Sequence, residues 1–486
     1  MALASPSNLL SLHAEGARVT RNLAFAKSNR YKYGAGAKAI PIPHPGLFTG
    51  LSEDKPGPKA LPTVAECAVH LEMLQAFHTL RQEVIHSKAL DRVFNILPEV
   101  RTVYRKQWSA TRPQTNRKYT IESRTIKDSS FASRRNKKWT YFLQIAAERF
   151  HQWIRVVNKS LGDHLEQGAE LPRYLLLPPL DVLMFWHAYL LNCDDFKAYC
   201  SVQKLDHVQS IVFPWADIHD AINHDTWSYR LPTEQTAWLR KSGNIDGNLI
   251  DALSNTTHGS TDDRTNLVGQ LLRKFDKTLK KARIETYHEP FFQTISKARA
   301  RKAQNTALIA NVERQVIFVD KMHGHRWIRS PAVEGTLRRA VDRYDKFLHL
   351  FRLYPDNFLV PTLDVDLVWH THQCSAENYR EFVTERVGKF INHDDKIGRG
   401  TLDNGFTSAE EWYRLTYGEQ YQVCLCWSCE AILSAVETLD DDALASHEIT
   451  PPLSEMSRNI EREIHYYREV ETSRRLRKST PIWDHR

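Results

Sequence analysis

Two histidines and two acids stand close together in the stretch LDVDLVWHTHQ, which runs from Leu363 to Gln373. Asp366 and His370 are four residues apart, so on a helix they share one face. His372 points to a different side, because each residue turns a helix by about 100°. One helix therefore cannot direct both histidines at one ion, and another segment must complete any metal site here.

The tetrapeptide INHD, at residues 391–394, is the best candidate for that second segment. A loop there can turn an imidazole and a carboxylate towards the helix. Paired imidazoles with a carboxylate are ligands of zinc and non-haem iron. We expect a divalent metal site drawn from His370, His372, His393, Asp394 and Asp366. Such a centre could polarise a substrate or activate water or dioxygen, as in a metal-dependent oxidative or hydrolytic enzyme acting on an unidentified small molecule.

A cysteine motif, C-x-C-x-x-C, follows in the same part of the chain. Its members are Cys424, Cys426 and Cys429. Thiolates at this spacing are common in structural zinc sites, which need a fourth ligand. Cys374, His372 or a more distant histidine could supply it. The alternatives are buried thiols beside Trp427, or a redox pair formed by the last two cysteines.

A near-copy of the first stretch, LDVLMFWHAYL, runs from Leu180 to Leu190, and INHD recurs at residues 222–225. Leu, Asp, Val, Trp and His keep the same register in both stretches. The motifs recur in one order, in which an amphipathic helix, a proline, an LDV-WH helix, an INHD loop and a further helix follow each other. We infer a mostly α protein built from two divergent helical units.

Differences between the two copies separate structural from functional candidates. Leu183 replaces Asp366, and Tyr189 replaces His372. The residues present only in the second copy are therefore the better candidates for function. On the competing structural interpretation, Asp364 caps its helix and the histidines only brace the fold through hydrogen bonds to carboxylates. The protein would then be a non-catalytic interaction module.

The predicted organisation has five parts. They are an irregular lead-in (1–60), the first helical unit (61–240), connecting helices (241–330), the second helical unit (331–436) and a charged tail (437–486). Thr63 and Glu66 have the spacing of a capping box. Helices are predicted at Trp139–Val157 and Val333–Leu353, and a short β-branched strand at Gln315–Val319.

The net charge of +8 is concentrated between residues 101 and 138, where only Glu122 and Asp128 oppose many lysines and arginines. Tyr104, Trp108 and Tyr119 lie among the cations. Phosphate binding with base stacking, as in an RNA-associated protein, is one interpretation, and a solvated loop between helices is the other.

Other features restrict the class of protein. No apolar run approaches the length that spans a bilayer, so we expect no membrane insertion. The seven cysteines do not form a secretory disulfide framework, which favours the cytoplasm, with the nucleus as the alternative. No P-loop, nucleophile elbow or H-E-x-x-H motif is present. The oligomeric state and any protein partner stay open.

These motifs together resemble the glycine-rich domain-containing protein-like family, a former domain of unknown function. The resemblance rests on LDVDLVWHTHQ, INHDD and the pattern W-Y-x-x-x-Y-G-x-x-Y from Trp412 to Tyr421, and covers roughly residues 60–435. The C-x-C-x-x-C ending is similar to compact fungal members. The 19 glycines are scattered, unlike the glycine-rich tail of plant members. The resemblance implies the helical architecture and supplies no activity.

Overall fold

The structure is a computed structural model. It describes residues 43–51, 60–94, 96, 100–108, 119–168, 176–255, 294–295, 297–298, 300–393, 399–437, 453–476 and 478. These residues are mostly helical, so the predicted mostly α class is confirmed. None of the helices in these ranges combines the length and the apolar character that crossing a bilayer requires.

The first part of the chain begins with a 3-10 helix at Pro45–Leu51. It continues with α1 (Val64–His86), α2 (Lys88–Val93), β1 (Val100–Trp108), β2 (Tyr119–Lys127), α3 (Phe131–Gln167), α4 (Leu180–Leu190), α5 (Cys193–Gln203), a 3-10 turn (Val208–Ser210), α6 (Trp215–Ala221), α7 (Thr233–Gly243) and α8 (Leu249–Asn255).

The second part begins after residue 300. It contains α9 (Lys302–His325), a 3-10 turn (Trp327–Arg329), α10 (Val333–Leu353), α11 (Leu363–Gln373), α12 (Ala376–Val387), α13 (Arg399–Tyr417), α14 (Trp427–Glu437) and α15 (Leu453–Arg475). Both LDV-WH stretches are helices, α4 and α11, and α10 has the predicted bounds.

Helix α1 lies at the centre of the molecule. Its start is fixed by the predicted capping box, in which Thr63 N donates to Glu66 Oε2 at 2.8 Å and Glu66 N donates to Thr63 Oγ1 at 3.2 Å. Every residue from Cys67 to Phe77 is buried, because α1 contacts α3, α6, α9 and α10 as well as both LDV-WH helices. Buried apolar side chains from both predicted units consequently form one continuous core.

Each LDV-WH helix is bound to the long helix before it by a buried ion pair. Arg149 of α3 donates from Nε to Asp181 Oδ2 of α4 at 2.7 Å. Arg343 of α10 donates from Nε to Asp364 Oδ2 of α11, also at 2.7 Å. Each guanidinium neutralises a carboxylate that burial would otherwise leave uncompensated. Each also donates to a carbonyl oxygen further along the chain, those of Asp246 and Tyr421 respectively.

Two sequence-based expectations about local structure are wrong, and one predicted helix is longer than expected. Gln315–Val319 lies inside α9, because its buried side chains follow helical spacing against α1, and tertiary packing overrides the strand preference of β-branched residues. The helix predicted at Trp139–Val157 extends in both directions, over the bounds of α3. Asp364 is not a cap. The cap position belongs to Thr362, and Asp364 binds arginine instead.

Within the basic stretch, β1 and β2 form an antiparallel β-ribbon, whereas the structural alternative considered from the sequence was a loop between helices. Strands β1 and β2 pair in register from Val100 opposite Lys127 to Trp108 opposite Tyr119. Nearly all of the described strand side chains are exposed, with Ile126 half-buried. The ribbon therefore stands out from the helical body.

Candidate metal centre

Two imidazoles and one carboxylate converge at the second LDV-WH helix. His370 Nε2 lies 3.1 Å from His393 Nε2 and 3.3 Å from Asp366 Oδ1. His393 Nε2 lies 3.7 Å from the same carboxylate oxygen. Ligand atoms bonded to one zinc ion at about 2.0–2.2 Å are themselves separated by roughly 3–3.6 Å. The three side chains are thus spaced as neighbouring ligands of one ion.

Helix spacing and loop packing place these atoms. Asp366 and His370 share one face of α11, as the interval of four residues predicted. His393 comes from the INHD loop after α12, and its ring stands at 89° against Trp369 with centroids 5.2 Å apart. Phe318 of α9 covers His370, with ring centroids 4.5 Å apart. An apolar wall therefore fixes both imidazoles.

The INHD loop is held through a chain of two hydrogen bonds. Trp369 Nε1 donates to Tyr379 Oη at 2.8 Å, and Tyr379 Oη donates to the carbonyl oxygen of Ile391 at 2.7 Å. Ile391 lies two residues before His393. The buried tryptophan of the LDV-WH motif thus positions the loop that carries the second imidazole.

The side chains of the cluster become more exposed from the first histidine to the carboxylate. Relative side-chain exposure rises from 2% at His370 through 12% at His393 to 22% at Asp366. Burial raises the pKa of Asp366, but electrostatic attraction to the neighbouring His370 and His393 side chains lowers it below the ordinary value of an aspartate. The carboxylate is therefore ionised at neutral pH, the form in which it binds a cation.

Not all of the predicted ligands join this cluster. His372 Nδ1 lies 3.1 Å from Tyr344 Oη, and the Tyr379 and Phe382 rings pack on the other sides of its imidazole. Burial lowers the pKa of His372 to about 3, so this imidazole is neutral. Asp394 lies outside the described residues. Among the described residues, the cluster has one carboxylate, which Asp366 supplies.

In the first LDV-WH helix, the equivalent histidine makes a different contact. His187 Nε2 lies 2.9 Å from His70 Nε2 of α1, whose Nδ1 lies 2.8 Å from Thr371 Oγ1 of α11. Burial lowers the pKa of His187 to about 3, and also lowers that of His70. These neutral rings connect α4 to α11 through α1, which is a structural role.

A further histidine cluster was missing from the sequence-based prediction. Glu72 of α1 is fully buried, and its Oε2 lies 2.7 Å from His219 Nδ1 while its Oε1 lies 3.1 Å from His224 Nδ1. Each Glu72 carboxylate oxygen contacts one imidazole, whereas the single oxygen Asp366 Oδ1 lies near two imidazoles. The ligand atoms of Glu72, His219 and His224 also lie within 4.8 Å of one another, so this cluster too has the spacing of a metal site. No spacing in the sequence connects Glu72 to these histidines, and only the recurrence of INHD marks His224.

The three cysteines of the C-x-C-x-x-C motif also converge, with their Sγ atoms within 4.8 Å of one another. Cys424 is exposed, while Cys426 and Cys429 are half-buried. A hydrogen bond from Cys429 lowers the pKa of the Cys426 thiol, which favours a thiolate there. Cys374 is buried elsewhere, and its Sγ donates to the carbonyl oxygen of His370 at 3.3 Å.

Known proteins resemble parts of this chain. Glycine-rich domain-containing protein 2 of Arabidopsis thaliana is 26% identical over 256 residues, which is 51% of this chain and 26% of that protein. Glycine-rich domain-containing protein 1 of the same plant is 39% identical over 93 residues, which is 18% of this chain and 11% of that protein. The aligned part thus spans about a quarter or less of these relatives. No solved structure matches the chain.

A family model also matches one continuous segment. The model described as "Glycine-rich domain-containing protein-like" matches residues 273–382. This segment contains α9, α10 and α11, and hence Asp366 and His370, and it ends before His393. The predicted resemblance of this chain to the glycine-rich domain-containing protein-like family is thereby confirmed.

Proposed function

We propose that this chain binds a divalent transition-metal ion through Asp366, His370 and His393. One observation carries the proposal: a single carboxylate oxygen and two imidazole Nε2 atoms lie 3.1–3.7 Å from one another. Two histidines and a carboxylate are a ligand set of non-haem iron and of catalytic zinc. Both sets leave coordination positions open.

The surroundings of the ligands favour a catalytic over a purely structural ion. A structural zinc site is closed by four protein ligands, whereas three converge among the residues that the structure describes, and the Asp366 side chain is the most exposed of them. Such an ion supplies Lewis acidity, or activates water or dioxygen. Phe318 and Trp369 exclude water from the inner side and hold the imidazoles in place. The activity proposed is oxidative or hydrolytic, on a small molecule that approaches from the Asp366 side.

The metal content of matched variants tests this proposal. The chain itself offers both substitutions, because the first LDV-WH helix carries Leu183 and Tyr189 at the equivalent positions. Asp366→Leu removes a ligand, and His372→Tyr changes a neighbouring position that is not a ligand. After reconstitution with iron or zinc and gel filtration, we expect Asp366→Leu to bind one ion fewer per chain than the wild type. His372→Tyr should match the wild type.

Equal metal content in Asp366→Leu and the wild type would contradict the centre. A fully folded wild type that stays free of metal under reconstitution would do the same, and would favour the interaction module. In that case His372→Ala should leave partner binding intact, while His370→Ala and His187→Ala lower stability. Far-UV circular dichroism of each variant excludes misfolding as the cause of a loss of metal.

The β-ribbon supports a second candidate function, which is binding of single-stranded nucleic acid. Strand alternation and the register place Tyr104, Lys106, Trp108 and Tyr119 on one face of the ribbon. The aromatic side chains are 72%, 55% and 46% exposed, in the order Tyr104, Trp108 and Tyr119. The Lys106 Nζ atom lies 4.4 Å from the centroid of Tyr119. Exposed aromatic rings beside cations are the elements that stack bases and contact phosphates.

Fluorescence anisotropy with a labelled single-stranded RNA tests this second candidate. We expect the wild-type affinity to fall steeply with salt, because phosphate contacts release counterions. Tyr104→Ala with Trp108→Ala should weaken binding by about 10-fold or more, since stacking contributes roughly 1–3 kcal/mol per base. Val103→Thr, on the opposite face, is the control. Binding that is unaffected by the double substitution would exclude this face as the site.

A further inference from the structure

The C-x-C-x-x-C segment is fastened to the end of α9 by two tryptophans. Trp327 Nε1, just after α9, donates to the carbonyl oxygen of Leu425 at 2.8 Å. Trp427 Nε1, at the start of α14, donates to the carbonyl oxygen of His325 at 2.9 Å. Each indole thus donates to a carbonyl oxygen two residues before the other tryptophan. We name this pair of hydrogen bonds the tryptophan clasp. The clasp brings His325, the last residue of α9, to the cysteine segment.

The three cysteines differ from the rest in their surroundings. Cys67, Cys193, Cys200 and Cys374 are buried one by one in the core. The clustered thiols are instead partly exposed and directed at one another. Small apolar side chains that only filled space would be buried, so packing alone does not explain the cluster. Thiols that lie close together and are accessible to solvent are typical of a metal site or a redox pair.

His325 distinguishes between these two possibilities. Its imidazole is exposed, and its carbonyl oxygen accepts the hydrogen bond from Trp427 Nε1, so the backbone of His325 lies beside the cysteine segment. A redox pair needs two thiols, whereas this cluster has a third thiol, and the clasp holds the backbone of a histidine beside it. Three thiolates and one imidazole are a set that closes a tetrahedral zinc site.

We propose that Cys424, Cys426, Cys429 and His325 bind one zinc ion, which joins the end of α9 to the start of α14. Soft thiolate ligands select zinc over calcium or magnesium. The ion would have a structural role, because four protein ligands leave no open position. Helix α9 also carries Phe318, which covers His370. The zinc site would therefore help to hold one wall of the Asp366 cluster, although the proposal does not depend on that cluster binding metal.

Cobalt substitution of the full chain tests the site. Thiolate ligands give cobalt an intense charge-transfer absorption that imidazole and carboxylate ligands do not give. We expect this band in the wild type, its loss in Cys426→Ala, and its retention in the matched control Cys374→Ala. Asp366→Leu should also retain it, which separates a failure of this proposal from a failure of the proposed function. Zinc should protect the cluster thiols of the wild type from a thiol-specific reagent.

His325→Ala tests the fourth ligand, with His323→Ala from the same turn of α9 as its control. We expect His325→Ala alone to shift the ligand-field bands and to weaken cobalt binding by at least about 10-fold. A wild type without a charge-transfer band would overturn the site, and so would a band that persists in Cys426→Ala. An unchanged spectrum and affinity in His325→Ala would overturn the assignment of that ligand. If Cys426→Ala does not fold, the absence of zinc protection in the wild type is the overturning result.

Discussion

Asp366 and Leu183 occupy equivalent positions in the two LDV-WH helices, and the histidine four residues later makes different contacts in each helix. Where the chain has Asp366, His370 faces a carboxylate and the INHD histidine, His393. Where it has Leu183, the equivalent histidine turns to His70 of α1. A carboxylate thus stands beside the two imidazoles of the second copy, whereas His187 of the first copy contacts another imidazole.

The two INHD histidines should consequently differ in their effect on metal binding. We expect His393→Ala to weaken metal binding at the Asp366 cluster by more than about 100-fold, because losing a ligand costs more than losing a residue that only orients one. His224→Ala is the matched control and should leave that affinity unchanged. Isothermal titration of the metal-free protein measures both. Equal affinities for the two variants would argue against His393 as a ligand.

His151 should contribute to acid instability. It lies in α3 between Tyr199 Oη at 2.7 Å and Asn305 Oδ1 at 3.1 Å. Burial lowers its pKa to about 4 from the ordinary 6.5, so the unfolded chain binds this proton more readily. Its contribution to stability is therefore complete above about pH 6.5 and is lost as the pH falls towards 4, by up to about 3 kcal/mol.

The variant His151→Gln keeps polar contacts but does not titrate. We expect the difference in unfolding free energy between wild type and variant to shrink as the pH falls from 7 to 4.5. Urea denaturation at a series of pH values measures this difference. Two parallel profiles would show that His151 is not buried in the neutral form.

Much of the Asp366 cluster could be predicted from residue types and spacing. The interval from Asp366 to His370 fixes their shared face, and the recurrence of INHD identifies His393. His372 could not be placed, because its direction depends on packing against Tyr344 and α12. The pairing of Glu72 with His219 joins residues 147 positions apart, and nothing local in the sequence records it.

At the scale of elements, buried ion pairs fix each LDV-WH helix to the helix before it. Asp181 and Asp364 were recognised as shared residues, but their arginine partners lie in the preceding helices and were not predicted. Both arginines occur on buried faces that the apolar periodicity marks as core. The sequence does not indicate that a buried arginine belongs on these faces, because the carboxylate that neutralises it lies 32 or 21 residues away and only the fold places the two side chains in contact.

Breaking one of these pairs should be strongly destabilising. We expect Arg343→Met to lower the unfolding free energy by about 3–5 kcal/mol, because it leaves Asp364 buried without its cation. Changing Asp364→Leu as well should restore part of the loss. The exposed pair of Arg240 with Asp246 is the control, since Arg240→Met should cost at most about 1 kcal/mol. Guanidinium denaturation that gives equal losses for the two arginines would contradict this interpretation.

The β-ribbon was not predicted because it lacks the alternation of polar and apolar residues that a half-buried strand shows. Its strands are exposed on both faces, so neither face needs apolar residues and the sequence shows no alternation. We expect replacement of residues 100–127 by a short Gly-Ser link to change the unfolding free energy by less than about 0.5 kcal/mol. The ends are paired at Val100 and Lys127, so the link need only cross one strand spacing. A larger loss by thermal or chemical denaturation would show that the ribbon supports the body.

At the scale of the whole molecule, the two predicted units share α1 and one core. The sequence motifs indicate two similar segments, but motif order does not reveal that one helix is buried between both. We expect a fragment of residues 61–255 to be unable to fold alone, because the α1 face that contacts α10 and α11 would be exposed. Near-UV circular dichroism and dye binding of the fragment measure this. A fragment with native-like signals and cooperative unfolding would show that the units are separable.

The tryptophan clasp has a consequence for how an ion would enter the cysteine cluster. In small zinc domains the ligands are scattered until the metal gathers them, so binding and folding are one event. Here indole donors already hold both backbone segments in place within a large folded body. We therefore expect the cluster to be a preorganised site, so that binding and release of zinc order little of the chain and change the heat capacity only modestly. The two indoles beside it would report occupancy through their fluorescence.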